Sequence, residues 1–210
     1  MTRILIVDDH EVVRHGTRLV LGQGFPDAVF DEASSAKDGL SQLEAGPCSL
    51  LILDLSMPGR GGLELLEEVK RRWPALPVVI LSAHPEEEFA VRCLRLGAAG
   101  YVSKGAASHE LTAASRKALA GGKYVTPLLA ERLATLLDGS VQQAPHETLS
   151  GRELQVLRLV ARGRSIKEVA AELALSEKTI GTYRTRISQK LGLSTNVELT
   201  RYALQHKLVD

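Results

Sequence analysis

Three acids stand directly behind short apolar runs in the N-terminal half: Asp8 and Asp9 after residues 4–7, and Asp54 after residues 50–53. Two further apolar runs, 78–81 and 101–102, lead to Ser82 and Lys104. Neighbouring carboxylates repel, so three that converge without basic partners need a cation to offset them. An all-oxygen site that retains waters is what Mg2+ favours. The Ser82 hydroxyl and the fixed charge of Lys104 would complete a pocket for a phosphoryl group. The metal and Lys104 would offset its charge, Ser82 would bond one oxygen, and one carboxylate would be the nucleophile. Singly, each residue has a plainer use: Asp8 or Asp9 would cap a helix starting near residue 11, and Lys104 would be a solvated loop residue. That reading does not account for five polar residues on four successive strand ends.

For these side chains to meet, the runs must be parallel strands of one open sheet, which binds ligands at its carboxyl ends where the strand order reverses. The pattern agrees. Strand-like runs at 4–7, 28–30, 50–53, 78–81 and 101–102 alternate with helical periodicity at 11–21, 36–44, 62–72, 86–96 and 108–120. Leu63, Leu66 and Val69 share one face of the third helix, as the 3.6-residue repeat requires. Alternating strands and helices imply a parallel sheet covered on both faces, and the unbroken apolar runs 4–7 and 50–53 suit its centre. Gly121-Gly122 ends the fifth helix, 127–137 is a further helical piece, and the polar, Gly/Pro-containing stretch 138–147 reads as a linker. Beyond it the pattern is helical only, at 153–162, 166–173, 178–191 and 196–205. The expected organisation is 1–121, a segment 122–147, and 148–210.

The formal charge of +1 conceals a division. Residues 1–121 carry 13 Lys/Arg against 16 Asp/Glu, whereas 148–210 carry 11 against 6. An acidic first part and a basic last part point to different partners, the second a polyanion. Cys48 and Cys93 lie 45 residues apart without a CxxC, and the six histidines show no ligand spacing, so neither set is assigned a metal. No apolar run approaches the ~20 residues of a membrane span, and paired acids follow Met1 too soon for a secretory signal. The expectation is a cytoplasmic protein with no membrane partner.

Val7-Asp8-Asp9-His10, Leu53-Asp54-Leu55-Ser56-Met57-Pro58 with Gly62, Leu81-Ser82-Ala83 and Gly100-Tyr101-Val102-Ser103-Lys104 resemble, in order and spacing, the receiver domain of response regulators. The resemblance implies an α/β flavodoxin-like fold with a five-stranded parallel sheet ordered 2-1-3-4-5. It implies that Asp54 is the phosphoacceptor and that Asp8, Asp9, Asp54 and the Ser56 carbonyl hold Mg2+. Lys104 and Ser82 would contact the phosphoryl group. Tyr101 stands where the family has a rotating aromatic that swings inward on phosphorylation and remodels the surface of the fourth helix and fifth strand. On its own, an aromatic on an edge strand is as readily a packing residue.

In the last third, Ser150 and Glu153 form a capping-box signature, and Ser176 opens a second helix start. The helices at 166–173 and 178–191, joined by a tight turn, satisfy the helix-turn-helix template. On the latter, Ile180, Ile187 and Leu191 form a core stripe with Tyr183 beside it. Lys178, Thr182, Thr185, Arg186 and Gln189 share another surface, with Thr179 at its start, and carry groups able to address base edges. Arg184 and Lys190 flank it as phosphate contacts. A solvated basic helix would look the same. Leu149, Arg152-Glu153, Val156-Leu157, Ala161, Gly163, Ser165, Lys167-Glu168, Ala170, Leu173, Ser176, Thr179, Lys190-Leu191-Gly192 and Glu198 resemble the LuxR-type helix-turn-helix of the NarL/FixJ response regulators. Two departures stand out. Ile166 replaces a frequent Asn, and Gly181-Thr182-Tyr183 replaces a common Lys-x-His, placing a glycine in the reading helix at about 1 kcal/mol relative to Ala.

The resemblance implies a two-component transcription regulator, controlled by phosphorylation of Asp54 from a sensor histidine kinase and not itself an enzyme. The helix at 196–205 would pair with a second copy, giving a homodimer on two DNA half-sites; on its residues alone it is equally a core-facing amphipathic helix. A Mg2+-dependent aspartyl-phosphate hydrolase would use the same acids, but it wants Asp-x-Asp where this chain has Asp54-Leu55-Ser56. A signalling adaptor acting through protein contacts alone would leave the basic last part without a purpose.

Overall fold

The computed structural model describes residues 2–57, 61–106, 108–137, 144–206 and 208–209. Pro58 of the receiver-like motif and residues 138–143 of the expected linker lie outside the described residues. The chain divides into two compact units, residues 1–141 and 142–210.

The first unit is built on β1 (Arg3–Val7), β2 (Val29–Ala33), β3 (Leu50–Leu53), β4 (Val78–Ser82) and β5 (Gly100–Ser103). All pairings are parallel and the order is β2-β1-β3-β4-β5. Every residue of β3 and β4 is buried, as continuous apolar runs in a doubly covered sheet must be. One face packs Ile4, Ile6, Leu50, Ile52, Val79, Leu81 and Val102 with Leu21, Leu111, Ala114 and Ala118 of the helices that cover it. A fully buried side chain of this size contributes about 1.5–3 kcal/mol. The covering helices are α1 (Glu11–Gly24), α2 (Ala36–Ala45), α3 (Gly62–Arg72), α4 (Glu86–Arg95) and α5 (Ser108–Leu119). The second strand runs three residues past the expected 28–30. Its polar Asp31 and Glu32 belong to an edge strand and pair with Arg3, Arg14 and Arg18.

After α5 the chain returns to the sheet. Tyr124 pairs with Gly100 and its N–H donates to the Ala99 carbonyl at 2.7 Å. The sixth helix, α6 (Pro127–Leu137), buries Leu129 and is part of this unit. The Thr126 hydroxyl oxygen accepts the Leu129 N–H, capping α6, while donating to Glu86 Oε2 at the first residue of α4.

The second unit begins with a 3-10 helix, Pro145–Thr148, which straddles the expected boundary at 147/148. It is followed by α7 (Gly151–Ala161), α8 (Ile166–Glu172), α9 (Glu177–Leu191) and α10 (Asn196–Gln205). Capping boxes start α7, α8 and α10, and Ser176 caps α9. Leu149, Val156, Leu157, Val169, Ile180, Ile187, Leu199 and Ala203 fill its core. The turn from α8 to α9 places Ala174 at φ 52°, a left-handed conformation that disfavours any residue with a Cβ. Among the described residues, no helix is long and apolar enough to cross a membrane.

Candidate functional site

The strand order reverses between β1 and its neighbours, so the carboxyl ends of β1 and β3 lie side by side. Val7 is in register with Leu53, and the Asp54 N–H donates to the Val7 carbonyl at 2.9 Å. Asp8 and Asp54, one residue beyond those strands, are therefore forced into proximity by the sheet itself. The end of β5 is aligned with the end of β4 (Ser82 opposite Ser103), and the Lys104 N–H donates to the Ser82 carbonyl at 2.7 Å. That step aims the Lys104 side chain at the acids: Nζ lies 2.7 Å from Asp8 Oδ2 and 3.2 Å from Asp54 Oδ1. α3 closes tightly on this end of the sheet. A Cβ on Gly62 would meet the Asp54 carbonyl oxygen at 2.1 Å, so glycine is a steric requirement there.

Asp54 is 1% exposed, and neither of its carboxylate oxygens accepts a well-formed hydrogen bond. Burial pushes its carboxyl above the usual range, the Lys104 charge pulls it back, the Asp8 charge raises it again, and the Ser56 backbone N–H lowers it somewhat. Oxygen ligands of Asp8, Asp9 and Asp54 lie within 4.8 Å of one another. Three buried or half-buried carboxylates converging on a single ammonium carry more negative charge than Lys104 offsets, which is a fit for a hard divalent cation. Ser56, half-buried, follows Asp54 by two residues. Ser82 is fully buried and accepts the His84 N–H at 3.1 Å. Tyr101 is buried and in the inward position, its hydroxyl donating to the His84 carbonyl at 2.8 Å. The structure thus brings Asp8, Asp9, Asp54, Ser82 and Lys104 to one end of one sheet, with Tyr101 tied to the loop that follows Ser82.

Two further residues belong to this site. His10 Nδ1 lies 3.0 Å from Asp9 Oδ1 and belongs to the same cluster, although histidine spacing alone gave no reason to include it. Arg14, one turn into α1, donates from Nη1 to the Asp8 carbonyl at 2.8 Å and pairs with Glu32 of β2 at 3.4 Å. It pins the backbone that carries the acids to a neighbouring strand. The cysteines are both free. Cys93 is fully buried, and burial raises its thiol to about 12, which removes it from thiolate chemistry.

In the second unit, Lys178, Thr182, Thr185, Arg186 and Gln189 are exposed on α9, on the side away from buried Ile180 and Ile187. Three residues expected on or beside that face sit differently. Thr179 takes part in the cap, its N–H and hydroxyl both on Ser176 Oγ. Arg184 is half-buried toward the core side. Lys190, read as a phosphate contact, turns inward, with Nζ 2.7 Å from Glu153 Oε2 and 3.3 Å from the Thr148 carbonyl. Glu153 is 2% exposed. Burial opposes its ionisation, but bonds from Lys190 and Ser150 outweigh that and hold its carboxyl below the usual range. Lys190 is therefore a clamp between α9 and the start of α7, because a buried carboxylate needs a partner more than a surface amine needs freedom.

A parallel sheet of this order with acids at its switch point, in one chain with a helix-turn-helix unit, defines a receiver-type regulator with a DNA-binding module. Residues 4–116 match the response regulator receiver domain, and residues 147–203 match the bacterial regulatory proteins of the luxR family. The response regulator UvrY of Escherichia coli is 35% identical over 211 residues, covering 100% of this chain and 97% of that protein. The response regulator GacA of Pseudomonas aeruginosa is 36% identical over 212 residues, covering 100% and 99%. RcsB from Salmonella enterica serovar Typhimurium, solved bound to the promoter rprA in the presence of phosphomimetic beryllofluoride, aligns with a TM-score of 0.61 at 28% identity. That alignment covers 96% of this chain and 98% of RcsB. The chain belongs to the two-component response regulators of the NarL/FixJ family, a receiver domain followed by a LuxR-type DNA-binding domain.

Proposed function

We propose that this protein is a transcription regulator gated by phosphorylation of Asp54. A sensor histidine kinase presents a phosphohistidine; a carboxylate oxygen of Asp54 attacks phosphorus, the P–N bond breaks, and the imidazole leaves as the P–O bond forms. Asp8, Asp9, Asp54 and the Ser56 carbonyl would hold Mg2+, which when bound offsets charge on the transferring oxygens. Lys104 supplies a fixed ammonium between Asp8 and Asp54 that steadies the acyl phosphate. The Ser82 hydroxyl, which accepts the His84 N–H, donates its proton to a phosphoryl oxygen. Because Tyr101 is bonded to the same His84, a shift of Ser82 toward that oxygen reaches the loop before α4 and the aromatic together.

The observation that carries this reading is the Asp54 carboxylate, buried and without a well-formed hydrogen bond, with an ammonium at 3.2 Å. A fold retains such a group where a ligand completes it. In the second unit α9 enters the major groove, with Lys178, Thr182, Thr185, Arg186 and Gln189 toward the bases and flanking phosphates. A second copy pairs through α10, whose Val197 and Leu204 are exposed, giving a homodimer on two half-sites; a solved structure has two RcsB dimers bound to two parallel DNAs. The protein acts in the cytoplasm, where kinase, Mg2+ and DNA meet. The test is a gel shift on duplexes enriched from a randomised library, with and without acetyl phosphate and Mg2+. The phosphodonor changes the affinity of the wild type and leaves Asp54→Asn unchanged. An equal response from both would refute control through Asp54.

A further inference from the structure

On the outward face of α9, two threonines spend their hydroxyl protons on the helix itself. Thr182 Oγ1 donates to the Lys178 carbonyl and Thr185 Oγ1 to the Gly181 carbonyl, both at 3.1 Å. Both side chains are exposed. A threonine oxygen turned back along a helix leaves its γ-methyl as the branch directed away from the backbone. Gly181 lies beside Thr185, half-buried on the flank of this face. It is not among the glycines with positive φ, and a Cβ added to it would meet nothing within 4 Å. Neither backbone conformation nor packing within the unit calls for glycine there, yet glycine is disfavoured in a helix interior. What its bareness favours is close approach from outside. Lys178, Arg186 and Gln189 border this strip with polar groups.

We propose that this strip reads thymine. The γ-methyls of Thr182 and Thr185 pack on C5-methyl groups in the floor of the major groove, while Gly181 lets the α9 backbone come near enough for that contact. Threonine methyl against thymine methyl is an apolar contact that distinguishes T·A from C·G without a hydrogen bond. The threonine hydroxyls need not leave the helix for it to form. The inference rests on the placement of α9 in the major groove and adds which base it selects.

The experiment uses the full chain treated with acetyl phosphate and Mg2+, and a duplex enriched from a randomised library. Each thymine of the enriched duplex is replaced singly by uracil, which removes the C5-methyl and leaves base pairing intact. At the contacted positions the wild type should lose about fourfold in affinity per methyl. Thr182→Val and Thr185→Val keep the methyl and should keep the preference for thymine over uracil. Thr182→Ser and Thr185→Ser keep the hydroxyl and should lose it. Gly181→Ala should bind the enriched duplex at least tenfold more weakly while unfolding at a higher temperature than the wild type, which separates lost approach from lost structure. Uracil tolerated at every position would overturn the inference while leaving DNA binding standing, as would a preference that follows the hydroxyl. If the library yields no enriched duplex, the placement of α9 in DNA falls and the inference with it.

Discussion

Asp54→Asn should stabilise the first unit when divalent cations are absent, even though it removes the group on which signalling is proposed to depend. Asp54 is 1% exposed, and its oxygens lack well-formed hydrogen bonds. An imperfectly paired buried polar group costs about 1–3 kcal/mol, and Asp8 repels the charge while Lys104 and the Ser56 N–H return part of the loss. An asparagine is still a buried polar group but carries no charge, so the net gain is about 1 kcal/mol. The sign follows from the titration. Burial raises the Asp54 carboxyl above its unfolded value, so the folded unit binds the proton more tightly. This part of its stability therefore increases as pH falls from neutral and is lost as pH rises through the folded value. Trp73, the single tryptophan, follows α3 in this unit and reports its unfolding in urea. With m of about 1–3 kcal/mol/M, 1 kcal/mol moves the midpoint by about 0.5 M. With EDTA present, the Asn variant should unfold at the higher urea concentration. Mg2+ at ten times its Kd should then stabilise the wild type by about 1.4 kcal/mol and the variant by much less. A lower midpoint for the variant in EDTA would refute the reasoning and make Asp54 a structural anchor for Lys104.

Glu153→Gln should weaken the second unit by about 2 kcal/mol, from half a capping box and one charge-assisted bond, discounted because Lys190 is partly solvated; hydrogen exchange of α7 and α9 amides measures it. Since bonds from Lys190 and Ser150 overcome burial and hold the Glu153 carboxyl low, wild-type stability should fall as pH drops below about 4.3, and the Gln variant should lack that component. Thr126→Val removes the cap of α6 and its bond to Glu86, about 1 kcal/mol, and should speed amide exchange across α6 where Thr126→Ser does not. DNA affinity should fall steeply with salt, and Lys178→Gln or Arg186→Gln should each reduce the slope by about 1. Lys190→Gln should instead lower the thermal stability of the second unit.

The strand ends could be read from the chain because β1, β3 and β4 are buried on both faces and so appear as unbroken apolar runs. Asp8, Asp9, Asp54 and Ser82 each follow such a run closely, Lys104 follows the shorter run 101–102, and parallel register carries them to one end of the sheet. The edge strand β2 was only half legible, because Asp31 and Glu32 look like loop residues until Arg3, Arg14 and Arg18 are placed beside them. Arg14 is silent in the sequence, and Lys190 reads there as a phosphate contact, for one shared reason. Each owes its role to a carboxylate or carbonyl that folding supplies, Asp8 and Glu32 in one case and Glu153 in the other. Helical periodicity finds the face of α9, but it cannot say that Lys190 beside it reaches Glu153 or that the threonine hydroxyls turn back on the helix.

The central claim is that phosphoryl chemistry is concentrated on one carboxylate. Intact-mass measurement after acetyl phosphate and Mg2+, with peptide mapping of the modified residue, tests it most directly. The account predicts one phosphoryl group per chain, located at Asp54, absent from Asp54→Asn and strongly reduced by EDTA. A phosphoryl group elsewhere, or undiminished labelling of the Asn variant, would contradict it.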